Sequence, residues 1–267
     1  MKTFGIIGYP LSHSFSKKYF EDKFLRENIS DFEFRVFEME NVLGIRDLIA
    51  THPNIVGLSV TIPHKEIILN YLDEIDEGAK KIGAVNCIKI SHKNNKPYLS
   101  GFNTDTFGFE NSLKPLLKNH HKKALILGTG GAAKAVAFTL DKLGIEYLFI
   151  TRKPTGCKHI RYSILHEGIL NEHTLIINTT PLGMFPDIDS SPDIPYQFLS
   201  EKHLLFDLTY NPTETLFLKK GKEKGATIKN GLEMLHLQAE KAYGIWNPTV
   251  LWTSPPQGRN LSKKQNT

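Results

Sequence analysis

The chain has only two cysteines in 267 residues, Cys87 and Cys157, seventy positions apart. That argues against a disulfide framework and against a paired-cysteine zinc site, and it fits a reducing cytoplasm. No run of eighteen apolar residues occurs, so no membrane-spanning helix is expected. The stretch from Met1 to Gly8 enters a short strand-like run directly, without the apolar region and small-residue cleavage site of a signal peptide. Acid is missing from the last fourteen residues, Ser254 to Thr267, which hold Arg259, Lys263 and Lys264. Those three cations supply most of the net charge of +5, leaving an unremarkable body. The tail is rich in Pro, Gln, Asn and Ser and reads as frayed. A second acid-free run, Lys114 to Lys123, carries four lysines but no interleaved aromatics. It reads as a solvated helix face and linker, so nucleic acid is not an expected partner.

With 40% hydrophobic and 23% charged residues, the chain is long enough for two domains rather than one. The first half shows short strand patterns at Phe4–Ile7, Glu33–Phe37, Ile55–Val60, Val85–Ile90 and Tyr98–Phe102. Helical patterns at Phe15–Glu27, Val42–Thr51, Lys65–Leu72 and Asp73–Lys81 lie between them. This alternation predicts an α/β domain whose sheet is at least partly parallel. From Lys123 the strands become continuous apolar runs, as expected when both faces are buried: 124–127, 147–150, 175–178, 204–207 and 226–228. A helix over 131–143, stopped by Gly144, follows the first of them, and a last helix is expected at Leu232–Tyr243. The outline is a Rossmann-type, doubly wound dinucleotide-binding domain behind an N-terminal α/β substrate domain.

Gly128-Thr129-Gly130-Gly131-Ala132-Ala133 sits between a buried strand and a helix and fits G-x-G-x-x-G/A. The first glycine makes the tight turn and the second lets the backbone approach a pyrophosphate. The helix N-terminus faces the anion. An NAD site wants an acid at the end of the second strand, to hold the ribose 2′-hydroxyl. Here Thr151-Arg152-Lys153 stands there, with no acid. Arg152 can pair with a 2′-phosphate through its planar fork and Lys153 can add charge, so the expected cofactor is NADP.

Val60-Thr61-Ile62-Pro63-His64-Lys65 ends a strand and places a lysine where a helix can begin. The first turn of a helix disfavours a cation, which makes Lys65 a candidate proton donor or acceptor. A surface lysine is the plain alternative. Ser12-His13-Ser14-Phe15-Ser16 is a loop able to cap a helix or to meet a polyhydroxylated ligand. Gly83-Ala84-Val85-Asn86 and Asn103-Thr104-Asp105 add polar side chains at element ends.

These motifs, in this order, together with 178–184 (Asn-Thr-Thr-Pro-Leu-Gly-Met), 207–215 (Asp-Leu-Thr-Tyr-Asn-Pro-Thr-Glu-Thr) and 230–239, resemble the shikimate dehydrogenase family from about residue 4 to 247. The resemblance implies reversible, NADPH-dependent reduction of 3-dehydroshikimate to shikimate, in the route to aromatic amino acids. It implies that Lys65 and Asp105 are the catalytic pair. Ser14 and Ser16 would bind the substrate carboxylate, with Thr61, Asn86, Tyr210 and Gln238 around the ring hydroxyls. Leu208 and Gly231 would line the nicotinamide end of the cofactor cleft, which Glu77 would approach. The implied layout is a substrate domain at 1–103, a cofactor domain at 104–231, a helical segment at 232–253 returning to the substrate domain, and a tail at 254–267. The expected assembly is a monomer or a homodimer. Two positions depart from the family pattern: Cys87 replaces a usual threonine, and Thr151-Arg152-Lys153 replaces Asn-Arg-Thr while keeping the arginine. Rival readings are a paralogue accepting quinate or NAD, and a nucleotide-responsive binding protein of the same fold without catalysis. An acid after the second strand would mark an NAD user, and loss of Lys65 or Asp105 would mark the binding protein. Neither sign is present. His13 and His64 adjoin key residues and are given no catalytic role.

Overall fold

The computed structural model describes residues 1–11 and 15–248. Ser14 and the basic tail at 254–267 therefore lie outside the described residues. The first half holds β1 (Lys2–Gly8), α1 (Phe15–Arg26), β2 (Phe32–Glu38), α2 (Ile45–Thr51), β3 (Ile55–Val60), β4 (Glu74–Ile75), α3 (Glu77–Ile82), β5 (Cys87–Lys93) and β6 (Lys96–Phe102). Its six strands form one mixed sheet, ordered β2-β1-β3-β5-β6-β4. β1 pairs in parallel with β2 and β3, while β5 runs antiparallel to β3 and to β6. Asn94 and Asn95, at φ 51° and 59°, join β5 to β6 in the two-residue turn whose twist matches a hairpin.

The second half holds α4 (Asp105–Leu113), β7 (Lys123–Leu127), α5 (Gly131–Lys142), β8 (Glu146–Ile150), β9 (His159–Ile160), α6 (Glu167–Glu172), β10 (Leu175–Asn178), β11 (Leu204–Asp207), α7 (Leu216–Lys222), β12 (Thr227–Lys229) and α8 (Leu232–Trp246). Its sheet is parallel throughout, ordered β12-β11-β10-β7-β8-β9. Strand order reverses between β7 and β10, which opens a crevice at the strands' carboxyl ends. Along β7, Ala124 and Ile126 enter one core cluster, and Leu125 and Leu127 enter the cluster on the other face. Both faces are covered, which is why these strands read as unbroken apolar runs.

The last helix leaves the second sheet and packs under the first. Ala239, Ala242, Tyr243 and Trp246 share a core with Phe4, Phe20, Phe24 and Phe34. Trp246 Nε1 donates to Ile88 O at 3.0 Å, and Lys23 Nζ, buried on α1, donates to Glu240 at 2.9 Å. Tyr19 also donates its hydroxyl to Glu240.

Two sequence expectations for the first half are corrected. No α-helix covers 65–72; a 3-10 turn at Ile67–Tyr71 stands there. The helix expected at 73–81 starts four residues later, as α3, because Asp73 is used elsewhere. Its Oδ2 accepts from Leu99 N–H at 2.8 Å, which brings Glu74–Ile75 alongside β6 as a sheet edge. Asp76 is the cap instead, accepting from the N–H groups of Gly78 and Ala79.

Three buried histidines sit at the far end of the second sheet. His203 accepts from Ser200 N–H at Nδ1 (3.0 Å) and meets Leu170 O through Nε2 (3.0 Å). His121 accepts from Lys118 N–H at Nδ1 and meets Lys202 O through Nε2. Only a neutral ring protonated on Nε2 satisfies both bonds, since a proton on Nδ1 would oppose an N–H. Burial pushes both imidazoles, and that of His173, below the usual range. The unfolded chain therefore takes up protons, from its usual histidine pKa of about 6.5 downward, that the folded chain refuses. Stability is expected to fall as pH drops from 7 toward 5. The thermal unfolding midpoint across that window checks this. A midpoint flat down to pH 5 would contradict it, because the carboxylates with lowered values (Glu33, Asp73, Glu110, Glu172) act only at more acid pH.

Candidate active site

Lys65 stands in the turn after β3. Thr61 N–H donates to Ile7 O at 3.0 Å, His64 N–H to Thr61 O at 2.9 Å, and Val85 N–H to Lys65 O at 2.8 Å. The turn is thus bolted to β1 and to the approach of β5. With no α-helix beginning here, the helix-terminus argument for Lys65 fails. A carboxylate acts on the ammonium instead: Lys65 Nζ donates to Asp105 Oδ2 at 2.6 Å, with the side chains 18% and 8% exposed. Asp105 is the first residue of α4, where the helix's partial positive charge favours an anion. The helix terminus supports the acid and not the lysine.

Asn86 holds the acid from behind. Its Nδ2 donates to Asp105 Oδ1 at 2.8 Å and to Thr104 Oγ1 at 3.0 Å. Its Oδ1 accepts from Thr104 N–H at 2.7 Å. Gln238 on α8 closes the group, its Oε1 lying 3.4 Å from both Asn86 Nδ2 and Thr104 Oγ1. Asn86, Thr104 and Asp105 are all buried. A buried charge is tolerable only when its partners are all met, and here both Asp105 oxygens are occupied.

A cleft of about 980 Å³ opens between the two sheets, at the crevice of the parallel one. Thr61, Pro63, Lys65 and Glu66 form one wall, and 128–132 form the facing wall. Gly128 has φ +109°, and a Cβ there would stand 2.7 Å from Thr179 Oγ1, so only glycine serves. A Cβ on Gly131 would stand 3.3 Å from Lys65 Cβ. The N-terminus of α5 therefore begins against the lysine. Glu66 accepts from Lys134 Nζ of α5 at 2.6 Å, an ion pair spanning the cleft. Thr151 and Arg152 line the far end, where no acid follows β8.

The family model for the shikimate dehydrogenase substrate binding domain matches residues 6–88. The shikimate dehydrogenase (NADP(+)) of Methanococcus maripaludis is 40% identical, over 92% of this chain and 91% of its own. That of Caldanaerobacter subterraneus subsp. tengcongensis is 38% identical, with the same shares covered. The chain belongs to the shikimate dehydrogenase family. The crystal structure of the family member from Thermus thermophilus, in complex with NADP(H) and shikimate, superposes with a TM-score of 0.80. It is 30% identical and is matched over 93% of this chain and 94% of its own.

Of the residues that the family resemblance assigns to substrate, Lys65, Asp105, Asn86 and Gln238 form one network, and Thr61 lies on the same wall of the cleft as Lys65. Ser16 is buried near the start of α1. Tyr210 packs edge-on against Phe15 at 5.2 Å between centroids, and Phe15 lies 5.4 Å from His236 of α8. The start of α1, the chain after β11 and α8 thus converge. Burial pushes the Tyr210 hydroxyl up and the His236 imidazole down. Leu208 and Gly231 touch each other closely, since a Cβ on Gly231 would meet Leu208 O at 2.0 Å. Neither lines the cleft, nor do Glu77 and Lys153, which are exposed. His64 is buried, its Nε2 2.6 Å from Met39 O, and is occupied structurally.

Sequence reasoning missed a clamp between the loops that carry the site. Asp207, fully buried at the end of β11, accepts from Asn178 Nδ2 at 3.1 Å, Thr209 N–H at 2.9 Å and Thr215 Oγ1 at 2.6 Å. Burial pushes its carboxyl up and these bonds oppose the shift. All four residues stood in the quoted motifs, which was the only signal. Glu66–Lys134 had no signal, because its partners are 68 positions apart.

Proposed function

We propose that the protein catalyses the reversible reduction of 3-dehydroshikimate to shikimate with NADPH, a step in the route to aromatic amino acids. The single observation that carries this reading is the Lys65–Asp105 pair at 2.6 Å, set directly against the glycine loop. The membership in the family, and the NADP(H) and shikimate named with its Thermus thermophilus member, agree with it.

The cleft fits NADP. Gly128 keeps side-chain atoms out of the turn, and α5 presents a helix N-terminus with no acid in its first turn. Arg152 offers a planar fork for a 2′-phosphate where an NAD site would carry an acid. When bound, NADPH supplies the hydride.

Reduction of the ketone leaves an alkoxide, which needs a proton. Lys65 Nζ donates that proton and later regains one from water. In the oxidation direction the neutral amine takes the proton from the substrate hydroxyl. Asp105 holds Nζ in place and accepts from a substrate hydroxyl, which orients the ring. Asn86 fixes Asp105 and is itself met by Gln238, and both face the ring hydroxyls together with Thr61 and Tyr210. Ser14 and Ser16 take the substrate carboxylate. Leu208, Gly231, Glu77 and Lys153 line no part of the cleft, and sequence alone assigns them to the cofactor. The division into 1–103, 104–231 and 232–253 is supported by the two separate sheets and by the Trp246–Ile88 bond. Cys87 and Cys157 are free, which suits a reducing cytoplasm, and the assembly is a monomer or homodimer. Among the described residues no helix is long and apolar enough to cross a membrane.

The test is growth of reduced-nicotinamide absorbance on mixing enzyme, shikimate and NADP⁺, with quinate and NAD⁺ as controls. Turnover confined to shikimate and NADP⁺ is expected. Faster turnover of quinate, or with NAD⁺, would replace this reading with the broader paralogue.

A further inference from the structure

We infer that Asp193 is a specificity residue that reads the exocyclic amino group of the cofactor's adenine. The inference rests on the NADP reading above.

The eight residues 151–158 join β8 to β9 without a helix. The two strands are parallel, with Phe149 opposite His159 and Ile150 opposite Ile160. Arg152 and Tyr162 each follow their strand by two residues, and both line the far end of the cleft. The opposite wall comes from the loop after β10. There Pro192 and Ile194 are buried, while Ser191 and Asp193 line the cleft. Ile194 N–H donates to Pro192 O at 3.0 Å, a three-residue turn that puts Asp193 at its apex. Tyr196 hydroxyl donates to the same Pro192 O at 2.8 Å, and Lys220 Nζ donates to Ser191 Oγ at 3.0 Å. The turn is thus pinned from behind, with Asp193 exposed at the edge of the cleft that it lines.

Burial raises the Tyr162 phenol, the charge of Arg152 lowers it and that of Asp193 raises it, so both charges act on this group. Among the described residues no hydrogen bond or ion pair engages the Asp193 carboxylate, whose charge acts on the Tyr162 and Tyr196 phenols. A carboxylate in a cleft that must accept a polyanion is unfavourable unless it meets a donor of the ligand. At the adenosine end, with Arg152 given to the 2′-phosphate, the base offers one donor group, the 6-amino group; its ring nitrogens only accept. A site that binds such a donor rejects an analogue presenting an acceptor in its place.

Nicotinamide hypoxanthine dinucleotide phosphate carries a carbonyl where NADP carries the amine, and it keeps the nicotinamide and the 2′-phosphate. With wild-type enzyme and saturating shikimate, KM for this analogue is expected to exceed that for NADP⁺ by about tenfold, one charge-assisted hydrogen bond at an exposed site. Asp193→Asn can donate as well as accept and should shrink or invert the ratio, while Asp193→Ala should bring it near one. A ratio that stays the same in all three enzymes overturns the inference alone. Absence of turnover with NADP⁺ in the wild type overturns the cofactor reading and the inference with it.

Discussion

Lys65→Ala is expected to lower kcat by about 10²–10⁴-fold, the range a positioned proton donor supplies. Lys65 Nζ is the cation that touches Asp105, and the lysine backbone is fixed by bonds to Val85 and, through the turn, to β1. Truncation leaves the alkoxide with only water as a proton source. It also leaves Asp105 with a single strong partner, Asn86. Some loss of thermal stability should follow, because a buried carboxylate loses its counter-charge. Lys65→Met, which keeps the packing of the stem against Gly131, separates the two effects. Steady-state kcat and shikimate binding by calorimetry check the prediction together. Loss of kcat with shikimate affinity within a few-fold of wild type supports a chemical role. Equal loss of both would mean that Lys65 only builds the pocket, and full turnover would remove it from the mechanism.

Arg152→Ala is expected to raise KM for NADP⁺ by about ten- to a hundredfold, the worth of a charge-assisted phosphate contact. KM for NAD⁺ should change little, because that cofactor has no 2′-phosphate to lose. Arg152→Asp should go further and favour NAD⁺, since a carboxylate there repels the phosphate and can hold a ribose 2′-hydroxyl. The ratio of kcat/KM for the two cofactors is the readout. An equal fall for both would show that Arg152 shapes the cleft without reading the phosphate. Lys153 is the internal control. It is exposed and does not line the cleft, so Lys153→Ala should shift the ratio far less.

The strands at 175–178 and 204–207 were legible to the residue, because burial on both faces leaves no polar alternation to blur their ends. The glycine loop was legible for a similar reason, as its conformation excludes side chains. The segment at 65–72 was misread because its apolar spacing suits a helix, whereas the turn around Lys65 is held by β1 and β5. β9 was not foreseen, since a two-residue strand carries no period. Without β9, Tyr162 had no reason to be placed beside Arg152, and Asp193 none to be placed opposite.

Residue order sets which side chains are available and which local conformations they allow. It set an acid at the start of α4, glycine where φ is +109°, and no acid after β8. Which of these meet depends on how the two sheets and α8 are assembled. The Lys65–Asp105 bond joins residues forty positions apart, and Asn86–Gln238 joins residues 152 apart. Such contacts depend on strand order and on α8 returning to the first sheet. Local propensity carries no information about either, because both follow from burying apolar faces that lie far apart in the chain.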